Sequence, residues 1–327
     1  MWCELASSQS TFVLRAAWCA FVWIRDLEDA GIEHVHCHFA GPHSIAAWML
    51  HRLTGATYSI TAHAVGIYTN HKLKKRLTEA VMVVSVSDYT TQYLEKHFPG
   101  IPRIVKVVCG VDPARFARNT PYSWGGVTRI LSVGRLVEKK GFTYLVDAVA
   151  LLVERGMDVQ CTIIGEGMLR RDLERQIAER GVRDRFHLLG AQPGDAVRQE
   201  MERASVFVLP CVVPANGNAD AAPVVIREAM SMELPMVATS AVACPEMIDS
   251  RNGLLVPERD SAALADAVAE LAGSDEDHLR QLGRSGRQRV IDEFSLEKQG
   301  TILAEEFRRL GVVEPLAGET EECITDQ

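Results

Sequence analysis

The segment Asn218-Ala219-Asp220-Ala221-Ala222-Pro223-Val224-Val225-Ile226-Arg227-Glu228 sets two carboxylates eight positions apart around a proline. Pro223 suits the first turn of a helix, where its missing N–H would be unpaired in any case. The N–H groups of Val224 and Val225 then point past the helix start, toward whatever anion lies there. Glu228 falls about one and a half turns inside that helix, and Asp220 in the loop that enters it. Carboxylates accept from hydroxyls, so the pair suits a sugar or ribose whose anionic part rests on the helix terminus. Asp220 as an N-terminal cap and Glu228 as a salt-bridge partner account for the same residues without a ligand.

A second anion-binding pattern is Gly134-Arg135-Leu136-Val137-Glu138-Lys139-Lys140-Gly141, a glycine turn followed by cations between a strand and a helix. The glycine permits close approach, and Arg135 and Lys140 supply charge. A solvated basic turn has the same composition. Gly165-Glu166-Gly167 has no third glycine at dinucleotide spacing and does not open the first βα unit, so it reads as a tight turn. His63 follows an apolar run, Tyr58–Thr61. Histidines 34, 36 and 38 alternate onto one face of another strand, but no carboxylate-rich partner accompanies them, and no metal site is expected. No Walker loop, G-x-S-x-G or strand-terminal D-x-D occurs.

These loops need a scaffold that brings strand ends together. Strand-like runs at His34–His38, Tyr58–Thr61, Val81–Val86 and Ile104–Val108 form one series. Arg129–Val133, Gln160–Ile164, Arg185–Leu189, Ser205–Leu209, Pro235–Thr239 and Gly253–Val256 form a second. Helical stretches such as Gly141–Glu154, with Leu145, Ala148 and Leu152 on one stripe, lie between them. Strands apolar on both faces and separated by helices imply parallel sheets covered on both sides. The expected fold is therefore α/β, with two Rossmann-like doubly wound domains facing a cleft, the first supplying fewer strands. Arg118–Thr128 is the seam, dividing residues 1–118 from 119–295. A C-terminal helix over 296–312 and an acidic tail over 313–327 follow.

Among 327 residues, 47% are hydrophobic and 24% charged, which excludes a disordered chain or a collagen-like repeat. The net charge of −8 argues against a general nucleic-acid surface. Eight scattered cysteines without a C-x-x-C pair read as free thiols in a reducing, cytoplasmic setting. The most apolar run, Phe12–Ile24, is too short to span a bilayer and reads as a buried helix.

Taken in order, several stretches resemble the family 4 retaining glycosyltransferases of the GT-B fold, especially the bacterial exopolysaccharide enzymes of the colanic-acid type. They are His34–Ala40, Tyr58–Tyr68, Val84–Tyr89, Gly110–Phe116, Ile130–Phe142, Cys161–Leu169, Val206–Cys211, Asp220–Met230 and Gly253–Pro257. The resemblance implies transfer of a hexose from a nucleoside-diphosphate sugar to a saccharide or lipid-linked oligosaccharide acceptor, with no cofactor and no metal. It implies that Arg135 and Lys140 grip the diphosphate, with Asp220 on the sugar and Glu228 on the ribose. Gly134, Gly165, Gly190, Ala221, Ala222, Pro223, Val224 and Val225 complete the implied donor site, and His63 faces the reacting sugar. Peripheral association with the inner face of the cell membrane also follows from the resemblance.

The sequence departs from the family pattern in several places. Asp220 stands where many relatives have Glu. Ala221 and Glu233 replace glycines, and the Cβ of Ala221 is expected to crowd the sugar. Cys109 replaces a common asparagine, and Ala243-Cys244-Pro245-Glu246 lacks a glycine before Pro-Glu. Relatives also begin with a strand and a glycine-rich loop that this sequence lacks. A nucleotide-sugar-binding module without transferase activity is the alternative expectation.

Overall fold

The computed structural model describes residues 10–64, 66–68, 73–124 and 126–312, with side chains from residue 16 onward. The first sheet is parallel and ordered β1-β2-β3-β4, with β1 His34–His38, β2 Thr57–Ala62, β3 Met82–Ser85 and β4 Ile104–Lys106. The second, also parallel, contains β5 Thr128–Val133, β6 Val159–Ile164, β7 Phe186–Gly190, β8 Val206–Leu209, β9 Met236–Thr239 and β10 Gly253–Val256. Its order is β10-β9-β8-β5-β6-β7. The ten expected strands all occur, with ends displaced by no more than two residues. Strand order reverses between β5 and β8, which pair directly. A doubly wound sheet opens its ligand crevice at the carboxyl ends of such a pair.

Around the first sheet lie α1 Ser10–Asp29, α2 Pro42–Thr54, α3 Lys74–Thr78 and α4 Asp88–His97. Around the second lie α5 Phe142–Glu154, α6 Arg170–Glu179, α7 Gly194–Arg203, α8 Val224–Ser231, α9 Ser261–Ala272 and α10 Glu276–Glu293. Side-chain caps set several starts: Asp260 accepts from the Ala263 amide at α9, and Asp275 from the His278 amide at α10. The stripe expected on α5 is buried, with Leu145, Val146, Ala148, Val149 and Leu152 in the second core. Helix α11, Leu296–Arg309, returns to the first sheet, where Ile302, Leu303 and Phe307 pack around Met82, Val84 and Val107.

The chain crosses between the sheets twice, and the crossings lie side by side. Val111 bridges Ser295, and the Leu296 amide donates to the Val111 carbonyl. A Cβ at Gly110 would stand 2.7 Å from the Leu296 Cα, so this approach requires glycine. The seam at Arg118–Thr128 is irregular but held to the second unit. Arg118 donates to the Glu202 and Met232 carbonyls, and Tyr122, 2% exposed, donates to the Ser205 carbonyl. The seam is thus fastened to the second unit, while the two crossings are fastened to each other.

Helix α1 corrects the expectation of a buried helix over Phe12–Ile24. Ala16 and Ala20 are buried, whereas Trp18, Phe21 and Trp23 are 68%, 69% and 48% exposed. The reason is that its small residues face inward against α2, leaving the aromatic stripe outside. Among the described residues no helix is long and apolar enough to cross a membrane. The expected acidic tail lies outside the described residues.

Candidate functional site

The loops after β5 and β8 meet at the strand-order reversal and enclose a cavity of about 440 Å³. Gly134, Arg135 and Lys140 line it from the first loop, and Asp220, Ala222 and Pro223 from the second. Val224, Val225 and Glu228 of α8 close one side, with Phe116, Val133, Gly194 and Val197 opposite or between them. A larger hollow, about 570 Å³, is lined by Arg129, Gln160 and Glu200 at the opposite ends of the strands. The C-terminal end of α7 borders that one, through Glu200 and Arg203.

Close packing shapes the β5 loop. A Cβ on Gly134 would come within 3.1 Å of the Lys140 stem, so glycine leaves the path along which that side chain runs. Lys140 Nζ reaches Asp220 Oδ2 at 2.8 Å, both side chains being largely buried. Burial alone would push the ammonium down. The neighbouring Cys211 and Asp220 outweigh it and hold Lys140 above the usual lysine range. Burial likewise pushes the Asp220 carboxyl up, but Lys140, Lys139 and Arg135 bring it below the usual carboxylate range. Both members of the pair are thus charged at neutral pH. Lys139 is buried too, and its Nζ donates to the Ala219 carbonyl at 3.3 Å, fastening one loop to the other.

The other polar groups of the cavity are unmet. The Arg135 side chain is exposed and makes no hydrogen bond or ion pair among the described residues. Neither does the Glu228 carboxylate, whose pKa burial pushes up and Arg115 partly brings back down. Helix α8 starts at Pro223, which has no side chain able to cap it, and the Val224 and Val225 amides have no acceptor among the described residues. A cation, a half-buried carboxylate and two open amides therefore converge on one cavity. Such a set can take an anion at the helix start and a hydroxyl at Glu228.

The family profile described as "Glycosyl transferases group 1" matches residues 127–274, and "Glycosyltransferase Family 4" matches residues 8–115. The chain belongs to these glycosyltransferases. The putative colanic acid biosynthesis glycosyltransferase WcaL of Escherichia coli is 32% identical over 217 residues, 65% of this chain and 53% of that protein. The amylovoran biosynthesis glycosyltransferase AmsK of Erwinia amylovora is 33% identical over 202 residues, covering 62% and 49% respectively. The chain thus spans about half the length of these curated relatives. Among solved structures, sucrose-phosphate synthase from Thermosynechococcus elongatus superposes with a TM-score of 0.80 at 22% identity, over 93% of this chain and 80% of that one. HepE from Anabaena, solved with UDP and glucose, gives 0.78 at 15% identity over 93% and 83%. The fold of this chain is GT-B, with two parallel-sheet α/β domains.

Nine of the expected site residues line the cavity: Gly134, Arg135, Lys140, Asp220, Ala222, Pro223, Val224, Val225 and Glu228. Pro223 stands one position earlier than expected, as the cap of α8 rather than in its first turn. Among the described residues Asp220 caps no helix and Glu228 joins no salt bridge. Gly165 and Gly190 lie behind the cavity, where the Gly165 amide donates to the Gly190 carbonyl. An added Cβ at Gly165 would strike the Gly134 carbonyl, so this glycine shapes the β5 loop from beneath. Ala221 does not crowd the cavity. Its side chain is 3% exposed and buried with Ala219 in the first domain's core beside Ala40, Ile67 and Tyr68.

His63 stands across the cleft, outside the cavity lining, with Nδ1 3.9 Å from the Cys109 thiol. Cys109 is in turn tied to α8, since Arg227 donates to its carbonyl at 2.9 Å. Histidines 34 and 36 are structural: both ring nitrogens of each meet Thr57, Ser59 or Thr61, and both rings pack on Phe307. Among the described residues no cluster suited to a metal ion occurs. Sequence reasoning missed Phe116, Val197 and the charge of Arg115 beside Glu228. The first and last end the segment Gly110–Phe116, whose family likeness was the available signal.

Proposed function

We propose that this chain moves a hexose from a nucleoside-diphosphate sugar to a saccharide acceptor with retention of anomeric configuration, in the assembly of a cell-surface polysaccharide. The observation that carries it is the convergence of Arg135, Glu228 and the open α8 amides on one cavity. Relatives named for colanic acid and amylovoran biosynthesis support the polysaccharide setting, and HepE solved with UDP and glucose supports a nucleotide-sugar donor.

The barrier to transfer is largely one of charge, because a diphosphate departs as the sugar turns cationic. Arg135, Lys140 and the Val224 and Val225 amides stabilise that departing charge where it grows. Glu228 accepts from ribose hydroxyls. Asp220, charged and beside Lys140, lies where it can accept from the sugar. Binding of diphosphate gives Lys140 a second anionic partner beside Asp220, so the lysine couples the leaving group to the sugar contact. A retaining reaction brings the acceptor to the same face as the leaving group, and a donor phosphate oxygen takes its proton. Within this reading the protein's own cations do the work of a metal, and the enzyme acts in the cytoplasm, at the inner face of the membrane when its acceptor is lipid-linked.

The test is transfer from UDP-glucose and GDP-mannose to a panel of glycoside acceptors. Wild type should transfer, and Lys140→Ala and Glu228→Ala should each lose on the order of 10²–10³ in rate. Transfer by either variant at the wild-type rate overturns the assignment.

A further inference from the structure

Directly after β1 the chain enters a conformation that the sugar-donor site does not explain. Phe39 has φ +72°, in the left-handed region where glycine is at home and a phenylalanine is an outlier. Hydrophobic burial does not compensate, since the Phe39 side chain is 41% exposed. The turn instead lays the ring against His63, with centroids 4.5 Å apart and planes inclined at 38°. His38, itself exposed, stacks on His63 at 24° and brings its Nδ1 to 3.4 Å from His63 Nε2. Burial, then the His38 ring, lowers the His63 pKa, so the imidazole is neutral. The result is an aromatic surface with polar ring edges at the carboxyl ends of β1 and β2.

This surface adjoins the wall that holds the sugar-donor site. Cys109 touches His63 and accepts from Arg227, the residue before Glu228. Ala40 and Ala64, next to Phe39 and His63, pack with Ala219 and Ala221, the two residues flanking Asp220. A second substrate reaching a sugar held at Asp220 must approach from the first domain, because the second already provides the cavity behind it.

We propose that Phe39, propped on His63 and edged by His38, is the platform on which a pyranose ring of the acceptor stacks. One face of a pyranose presents C–H groups, which suit the electron-rich face of an aromatic ring, while its rim hydroxyls suit the nitrogens of His38 and His63. The strained backbone is retained because it keeps the ring out of the core and in the cleft. Naming the occupant an acceptor rests on the transferase reading; binding of a saccharide here does not.

Saturation-transfer NMR with methyl glycosides of glucose, galactose and mannose tests the platform without any turnover. At least one should bind the wild type through its C–H face, keep binding Phe39→Trp, and bind Phe39→Gly and Phe39→Asn about tenfold more weakly. Glycine and asparagine relieve a left-handed backbone, so both variants should melt no lower than wild type, whereas a packing role would lower their Tm. UDP and GDP affinity should be unchanged. Failure of all three glycosides to bind, equal binding by the glycine and asparagine variants, or a loss confined to UDP and GDP overturns the platform. If glycosides bind as expected but neither UDP-glucose nor GDP-mannose supports transfer, the platform stands and the transferase reading falls. If transfer proceeds with acceptor KM untouched in Phe39→Gly, the reverse holds.

Discussion

Two helices begin at the cleft between the domains, and they are treated in opposite ways. Helix α4 is fully met: Ser87 accepts from the Thr90 amide, while the Glu246 carboxylate, sent from the second domain, accepts from the Asp88 and Tyr89 amides at 2.7 and 2.8 Å. Helix α8 begins at a proline without a capping group, and its first two amides face an open cavity. The same partial positive charge, from the same unpaired backbone N–H groups, thus joins the domains in one place and awaits an anion in the other. A helix start becomes a binding site where the sequence withholds a carboxylate from it. At α8 the nearest acids are Asp220, turned to Lys140, and Glu228, farther along the helix.

Exchanging the two treatments probes this contrast. The largest effect belongs to the cations that serve the open terminus. Arg135→Ala should reduce transfer on the order of 10²-fold, read as kcat/KM with saturating acceptor. Supplying α8 with the carboxylate it lacks, by Val225→Glu, should weaken UDP or GDP binding by about 10- to 100-fold in calorimetry, since like charges then meet. Withdrawing the carboxylate from α4, by Glu246→Ala, should cost about 1–2 kcal/mol in urea unfolding while leaving nucleotide affinity unchanged. Loss of nucleotide binding in Glu246→Ala with no change in stability would break the comparison.

The smallest effect concerns Glu228, whose carboxyl pKa is raised in the fold, by burial above all. A raised carboxyl pKa makes the folded state bind more protons than the unfolded, so stability falls as pH rises through the window between the two values. Glu228→Gln removes that penalty. It should therefore be more stable than wild type at pH 7, and the difference should vanish in acid below the unfolded glutamate pKa. Equal stability at both pH values would show that Glu228 carries no such cost.

Much of this arrangement was legible in the sequence because it depends on local signals. Alternation of short β-branched runs with amphipathic stretches located the strands, and Pro223 located the start of α8 to within one residue. The convergence of Arg135, Lys140 and Glu228 was an expectation that the family resemblance supplied, and strand order accounts for it. What was not legible depends on the third dimension. Nothing local says that Ala221 points into the other domain's core or that Glu246 caps a helix more than 150 positions away. The aromatic face of α1 misled for a related reason: hydrophobicity predicts burial, while the two alanines of that helix claimed the inward side. Glu233, where the family resemblance implies glycine, holds φ +56°, a backbone reason for that preference that became readable only with the structure.

The central claim is that one pyrophosphate is shared by Arg135, Lys140 and the start of α8. A crystal structure with a bound nucleoside diphosphate tests it most directly. The account predicts phosphate oxygens within hydrogen-bond distance of the Val224 and Val225 amides and of Arg135, with Lys140 Nζ contacting both phosphate and Asp220. A diphosphate bound away from α8, with Lys140 paired to Asp220 alone, would contradict it.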